Sequence, residues 1–91
     1  MTEHLHPIIK AEPLDDYKLK ITFKTGEIRI ADFKPHIQNG KMFKPLENPD
    51  LFKKVKANGY SRIEWTDDID FCGGCLYSES IPYADYIKNI K

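Results

Sequence analysis

From Tyr17 to Phe23 apolar and polar residues alternate without a break: Tyr17, Leu19, Ile21 and Phe23 interleave with Lys18, Lys20 and Thr22. Successive strand side chains point to opposite faces, so a period of two buries one side of a strand and leaves the lysines in water. Thr25-Gly26 follows, and its glycine tolerates the positive φ of a tight turn. Beyond it Glu27, Arg29 and Ala31 alternate with Ile28, Ile30 and Phe33, which predicts an antiparallel return. The hairpin needs a cover for its apolar face, and 91 residues supply one domain's length of chain to make it. Area scaling leaves about 5,500 Å² exposed of about 15,400 Å² in the unfolded chain, enough burial to fold without staples.

The flanking segments are read from their turn and cap residues. Residues 6–14 form a preceding strand with Ile8 and Ile9 as inward candidates, closed by Pro13 and Asp15-Asp16. Residues 34–44, with Pro35, Ile37, Gly40, Met42 and Phe43, read as one helical turn and a loop over the sheet edge. Asn48-Pro49-Asp50 is a helix start, since Asn caps orphan amides, Pro suits the first helical position and Asp meets the positive end of the dipole. Leu51, Phe52 and Val55 make the inner face of that helix, and Asn58-Gly59 ends it. Tyr60 to Trp65 is a further strand with Ile63 and Trp65 on its inner side, followed by a turn at Thr66-Asp67-Asp68. Ala84, Ile87 and Ile90 recur at helical spacing near the end. The expectation is an α+β domain: a small antiparallel β-sheet (N-terminal β-hairpin or meander plus a later strand), one main helix packed on it, and a short C-terminal helical segment. Residues 1–80 would form the domain and residues 81–91 a helical extension, joined at Ser80 to Pro82.

Fourteen basic and fourteen acidic residues cancel, with 41% hydrophobic and 12% aromatic content. That balance argues against a disordered chain and against a general phosphate-backbone binder. Apolar runs of only a few residues exclude a transmembrane helix and a signal peptide. Two cysteines three positions apart would close too small a loop to staple a fold, so a reducing cytoplasm is the expected setting. Charge position is more telling than net charge. Residues 41–56 hold five lysines against two acids, whereas residues 64–85 hold Glu64, Asp67, Asp68, Asp70, Glu79 and Asp85 with no basic residue. Such a bipolar chain points to a basic partner for the acidic end.

Several ordered segments carry a family resemblance: Leu14-Asp15-Asp16-Tyr17-Lys18-Leu19, Phe23-Lys24-Thr25-Gly26-Glu27, Asp32-Phe33-Lys34-Pro35, Phe43-Lys44-Pro45-Leu46, Asp50-Leu51-Phe52-Lys53-Lys54-Val55, Ile63-Glu64-Trp65, Asp70 and Leu76-Tyr77. In this order they resemble the family of small bacterial α+β domains catalogued as domain of unknown function 2442. The resemblance implies an antitoxin-like place beside a partner protein in a two-gene module. Some relatives carry a helix-turn-helix domain afterwards, but residues 81–91 hold one helix at most, so direct operator binding is not expected of this chain alone. Gly73-Gly74 departs from relatives, which tend to show Pro and an acidic residue there.

Candidate chemistry centres on Cys72-Gly-Gly-Cys75. At the start of a helix this spacing would support a dithiol redox centre, but nothing here reads as the βαβ unit of a thioredoxin site, and Asp67, Asp68 and Asp70 would disfavour a thiolate. Zinc would take Cys72 and Cys75 with His4 and His6 completing the set. Asp68, Asp70, Gly73 and Glu79 match four places of a calcium-loop template, with Cys72 where an oxygen donor belongs. No nucleophile–base–orienter set is legible, and His36 has no partner in the sequence. The expected protein is therefore non-enzymatic and without a cofactor. It would bind a protein partner through the six acidic residues and through Tyr77, Tyr83 and Tyr86, aromatic residues with a polar handle being favoured at interface centres. The alternative is a metal-binding or redox accessory protein using Cys72 and Cys75.

Overall fold

The hairpin forms as its alternation dictates. In a computed structural model that describes residues 7–40, 43–57, 61–66 and 69–89, strand β2 (Lys18–Phe23) pairs antiparallel with β3 (Ile28–Asp32), placing Leu19 opposite Ala31 and Ile21 opposite Arg29. Leu19, Ile21, Phe23 and Ala31 are buried. The turn closes through the Gly26 amide, which donates to the Phe23 carbonyl at 2.8 Å, and Gly26 holds φ at +96°. Strand β1 (Ile8–Pro13) lies on the other side of β2, with a register shift between Ile8 and Lys10. The shift breaks strict alternation, so Ile8 and Ala11 share the core side while Ile9 is 62% exposed. Of the two inward candidates only Ile8 enters the core.

The later strand does not extend this sheet. Strand β5 (Arg62–Thr66) lies between β4 (Lys56–Ala57) and β6 (Ile69–Cys72) in a separate three-stranded antiparallel sheet. Ile63 and Trp65 are buried as their alternation requires, and the Trp65 indole N–H donates to the Phe52 carbonyl at 3.0 Å. Both sheets contribute to one core around Phe33, whose ring centroid lies 5.3 Å from Trp65 and 5.0 Å from Phe71 in edge-on geometry. Edge-on contact is the favourable one for ring quadrupoles.

The expected main helix is reduced to a single turn, and the reason is tertiary. Helix α2 (Pro49–Phe52) starts as its cap predicts, with the Asn48 side chain accepting from the Asp50 amide at 2.9 Å. Val55 then enters the core, and Lys56 and Ala57 pair with Glu64 and Ile63, which requires extended backbone. Helical structure is carried instead by α1 (Lys34–Asn39), α3 (Gly73–Glu79) and α4 (Tyr83–Asn89). The predicted stop at Asn58-Gly59, with Met42, Tyr60 and Ile90, lies outside the described residues.

The join between residues 80 and 82 is firmly held. Ser80 is buried, the Arg29 Nε donates to its hydroxyl at 2.7 Å, and a second guanidinium N–H donates to its carbonyl at 2.7 Å. Ile81–Pro82 then forms β7, which pairs with Ile30 and Arg29 on β3 and completes the sheet order β1-β2-β3-β7. No helix among the described residues is long and apolar enough to cross a membrane.

Candidate functional site

The acidic residues are distributed over several elements. Glu64 and Asp70 are register partners across β5 and β6, with Lys56 opposite Glu64 on β4. The Arg62 Nε donates to Asp70 at 3.2 Å. Glu79, at the end of α3, accepts its contact from His36 Nε2 at 2.6 Å. Asp85 is exposed on α4. Asp67 and Asp68 lie outside the described residues. The structure thus brings Glu64 and Asp70 together among cations, and sets Glu79 and Asp85 on two separate helices.

The three tyrosines divide in the same way. Tyr77 on α3 is half-buried: its hydroxyl donates to Glu27 at 2.7 Å, its ring meets Phe23 edge-on at 5.3 Å, and the Arg29 guanidinium lies 4.3 Å from its centroid. The hydrogen bond to the Glu27 carboxylate, with desolvation, pushes its phenol above the ordinary value. Tyr83 and Tyr86 stack on each other along α4, with centroids 6.4 Å apart and planes at 23°. The Lys20 ammonium sits 4.8 Å from the Tyr83 centroid, a cation–π contact.

That contact shows where α4 docks. In the β2–β3 register Lys20 stands opposite Ile30, on the side away from Leu19 and Ala31, and Ile30 in turn stands opposite Ile81. Ile30 is buried, whereas Ile81 and Ile87 remain 40% and 44% exposed. The Tyr83–Tyr86 stack, Ile81 and Ile87 therefore share the C-terminal segment that packs on the outer side of the first sheet. Sequence reasoning named Tyr83 and Tyr86 as partner-binding candidates and Ile87 as part of a C-terminal helix, but not the docking of that segment on the sheet beside Lys20 and Ile30. The available signal was Ile28 and Ile30, apolar residues on the face that the lysines of β2 marked as wet.

Cys72 and Cys75 meet at the corner between β6 and α3. Cys72 occupies the N-cap of α3 and is half-buried, and Cys75 is exposed. The backbone amides of Cys75 and Gly74, at the start of α3, favour the Cys72 sulfur as an anion and hold its thiol below the ordinary value. Desolvation and the neighbouring Cys72 sulfur push the Cys75 thiol up. Of the carboxylates expected to oppose a thiolate, Asp70 is paired with Arg62, and Arg62 is itself the cross-strand partner of Cys72, while Asp67 and Asp68 lie outside the described residues. The helix start at Gly73 was the missed feature, because two adjacent glycines do not announce a helix. Among the described residues no group of three or more His, Cys, Asp and Glu is arranged to hold a metal ion, and His4 and His6 lie outside them.

A family described as "Protein of unknown function (DUF2442)" matches residues 8–82. No curated protein matches the chain significantly. Among solved structures, the crystal structure described as "Putative DNA Binding Protein NE0471 from Nitrosomonas europaea ATCC 19718" is similar, with a TM-score of 0.70 and 25% identity over 81% of this chain. The matched region is 48% of that protein's chain, so this chain spans about half its length.

Proposed function

This chain belongs to the DUF2442 family of proteins of unknown function, and from that premise we propose that it is a non-enzymatic, cytoplasmic protein-binding domain, the antitoxin-like partner of a two-gene module. The observation that carries the reading is the pairing of exposed Ile81 and Ile87 with the stacked Tyr83 and Tyr86 on one C-terminal segment. Exposed apolar residues on a segment that also carries aromatic residues with a polar handle are what protein interfaces use, because burying them releases water.

Asp85 lies on the same helix and supplies charge beside that apolar surface. Glu64, on the outer side of the second sheet, adds to the field that attracts a basic toxin-like protein. Electrostatic matching raises the association rate, and salt screens it. Direct nucleic-acid binding is left out of the proposal for this chain alone: its charges balance, and Lys18 and Lys34 are engaged with Asp16. The description of the Nitrosomonas europaea protein concerns a longer chain, of which the matched region is 48%.

The test is affinity capture of the tagged chain from its native extract at low and high salt, followed by titration of the purified partner. A stoichiometric basic partner that binds Ile87→Asp at least about tenfold more weakly, with slower association on Asp85→Lys, supports the reading. Unchanged affinity in Ile87→Asp, or no stoichiometric partner at either salt, overturns it.

A further inference from the structure

We propose that Cys72 and Cys75 form a thiol–disulfide exchange site, a dithiol that closes reversibly to an intramolecular disulfide on reaction with a small organic disulfide. The inference is independent of the protein-binding reading. Cys72 ends β6, and Cys75 lies three residues on, in the first turn of α3. Residues three apart on one helical turn are surface neighbours with Cβ atoms about 5–6 Å apart, and a disulfide draws its two Cβ atoms to about 3.5–4.5 Å. Closure at this corner therefore needs an approach of about 1–2 Å, which the two glycines between the cysteines, Gly73 and Gly74, leave the backbone free to make. Cys75 is exposed and Cys72 half-buried, so an incoming reagent meets the pair from solvent.

The neighbourhood suits exchange. Arg62 is the cross-strand partner of Cys72, and its guanidinium favours the sulfur as an anion, the form that attacks. Cys72, the more acidic of the two, is the attacking thiol and Cys75 the resolving one. With glutathione disulfide, the Cys72 thiolate attacks one sulfur, the glutathione S–S bond breaks, and one glutathione leaves and takes up a proton. Cys75 then gives its proton to solvent and attacks the Cys72 sulfur of the mixed disulfide, displacing the second glutathione, which is protonated in turn. The protein is oxidised by two electrons and the small disulfide is reduced to two thiols. Closing so short a loop removes little chain entropy, which keeps the site reversible instead of structural.

The experiment uses the full chain equilibrated with graded ratios of oxidised to reduced glutathione, quenched with iodoacetamide and weighed intact. The expected product is monomeric, lacks two hydrogens, carries no added group and grows as the ratio rises. Two alkylatable thiols at every ratio, accumulated mixed disulfide on the unaltered chain, or a disulfide-linked dimer each overturn the proposal. Phenylarsine oxide, which chelates paired thiols, gives a readout on the unaltered protein. One equivalent should block both thiols, and failure to block both counts against the pair. In Cys75→Ser, checked for folding by circular dichroism, glutathione should be trapped on Cys72 about tenfold faster than on Cys75 in Cys72→Ser, since the thiolate is the nucleophile. Equal or reversed rates overturn the assignment of roles.

Discussion

His36 Nε2 lies 2.6 Å from a carboxylate oxygen of Glu79, 43 residues away in sequence. The contact ties α1, which follows β3 of the first sheet, to the end of α3, which follows β6 of the second. It also occupies one of the carboxylates read from sequence as part of a partner-binding surface. The His36 ring is packed as well as paired, with centroids of Phe33, Phe43 and Phe71 at 5.1, 5.7 and 5.0 Å.

The two halves of that contact are expected to contribute unequally. Both partners are about a third exposed, so Glu79→Gln should lower stability by less than about 1 kcal/mol. His36→Ala also strips the ring from three aromatic neighbours and should lower it by about 1–2 kcal/mol. Urea unfolding of both variants decides. Equal losses would mean that the polar contact, and not the ring packing, joins the helices.

Arg29 is the most heavily used polar side chain among those described. Its side chain is only 13% exposed and serves Glu27, the Ser80 hydroxyl, the Ser80 carbonyl and the Tyr77 ring. Arg29→Ala leaves Glu27 and Ser80 short of a donor and should lower stability by about 3 kcal/mol. Tyr77→Phe removes the hydroxyl that donates to Glu27 and should lower it by about 1 kcal/mol. A thermal-unfolding double-mutant cycle should show coupling between the two sites. Strict additivity would argue that the guanidinium and the phenol do not act together.

Phe33 and Ile9 are both large apolar residues of the N-terminal half with opposite fates. Phe33 is fully buried between the sheets, and Phe33→Ala should lower stability by about 3–5 kcal/mol. For a domain whose whole stability is about 5–15 kcal/mol that is a large share. Ile9→Ser, at a position the register shift leaves exposed, should change stability by less than about 0.5 kcal/mol. A large loss in Ile9→Ser would contradict the β1–β2 register.

Acid should erode one surface contribution selectively. Hydrogen bonds from Lys34, then Lys18, hold the Asp16 carboxyl below its ordinary value of 3.8. A carboxyl whose folded pKa is lowered stabilises the fold above its unfolded pKa and loses that contribution as pH falls through the folded value. Asn tolerates the left-handed backbone of residue 16 (φ 62°) as Asp does, so Asp16→Asn isolates the charge. The unaltered chain should be the more stable at neutral pH, and the difference should vanish on acidification below 3.8 and shrink with salt. A difference independent of pH would rule the ion cluster out as its source.

Gly26 supplies a purely backbone test. Nothing lies within 4 Å of the position its Cβ would take, while φ is +96°. Gly26→Ala should therefore lower stability by about 1 kcal/mol through strain alone. A neutral substitution would mean that the turn relaxes to another type.

The hairpin, the Asn48 cap, the inward Ile63 and Trp65 and the α+β class were all legible in the sequence. Each rests on neighbours a few positions apart, where alternation, turn chemistry and capping act directly on the local backbone. The fate of Val55, the second sheet, the helix at Gly73 and the Cys72–Cys75 corner were not legible in this way. Local propensity at Asn48 to Asn58 favours a longer helix, and it yields because burying Val55 and pairing Lys56 with Glu64 requires extended chain. The outer side of the first sheet shows the same limit: Lys20 reads as a solvated lysine until β7 and α4 arrive to cover Ile30 and set Tyr83 beneath its ammonium. By itself, then, the sequence determined which segments are strands and turns and which face of each is apolar, because those depend on short-range periodicity. Only the tertiary structure decided which faces meet, that Arg29 clamps Ser80, that His36 finds Glu79 and that two cysteines share a corner, because those depend on contacts between residues that no local rule brings together.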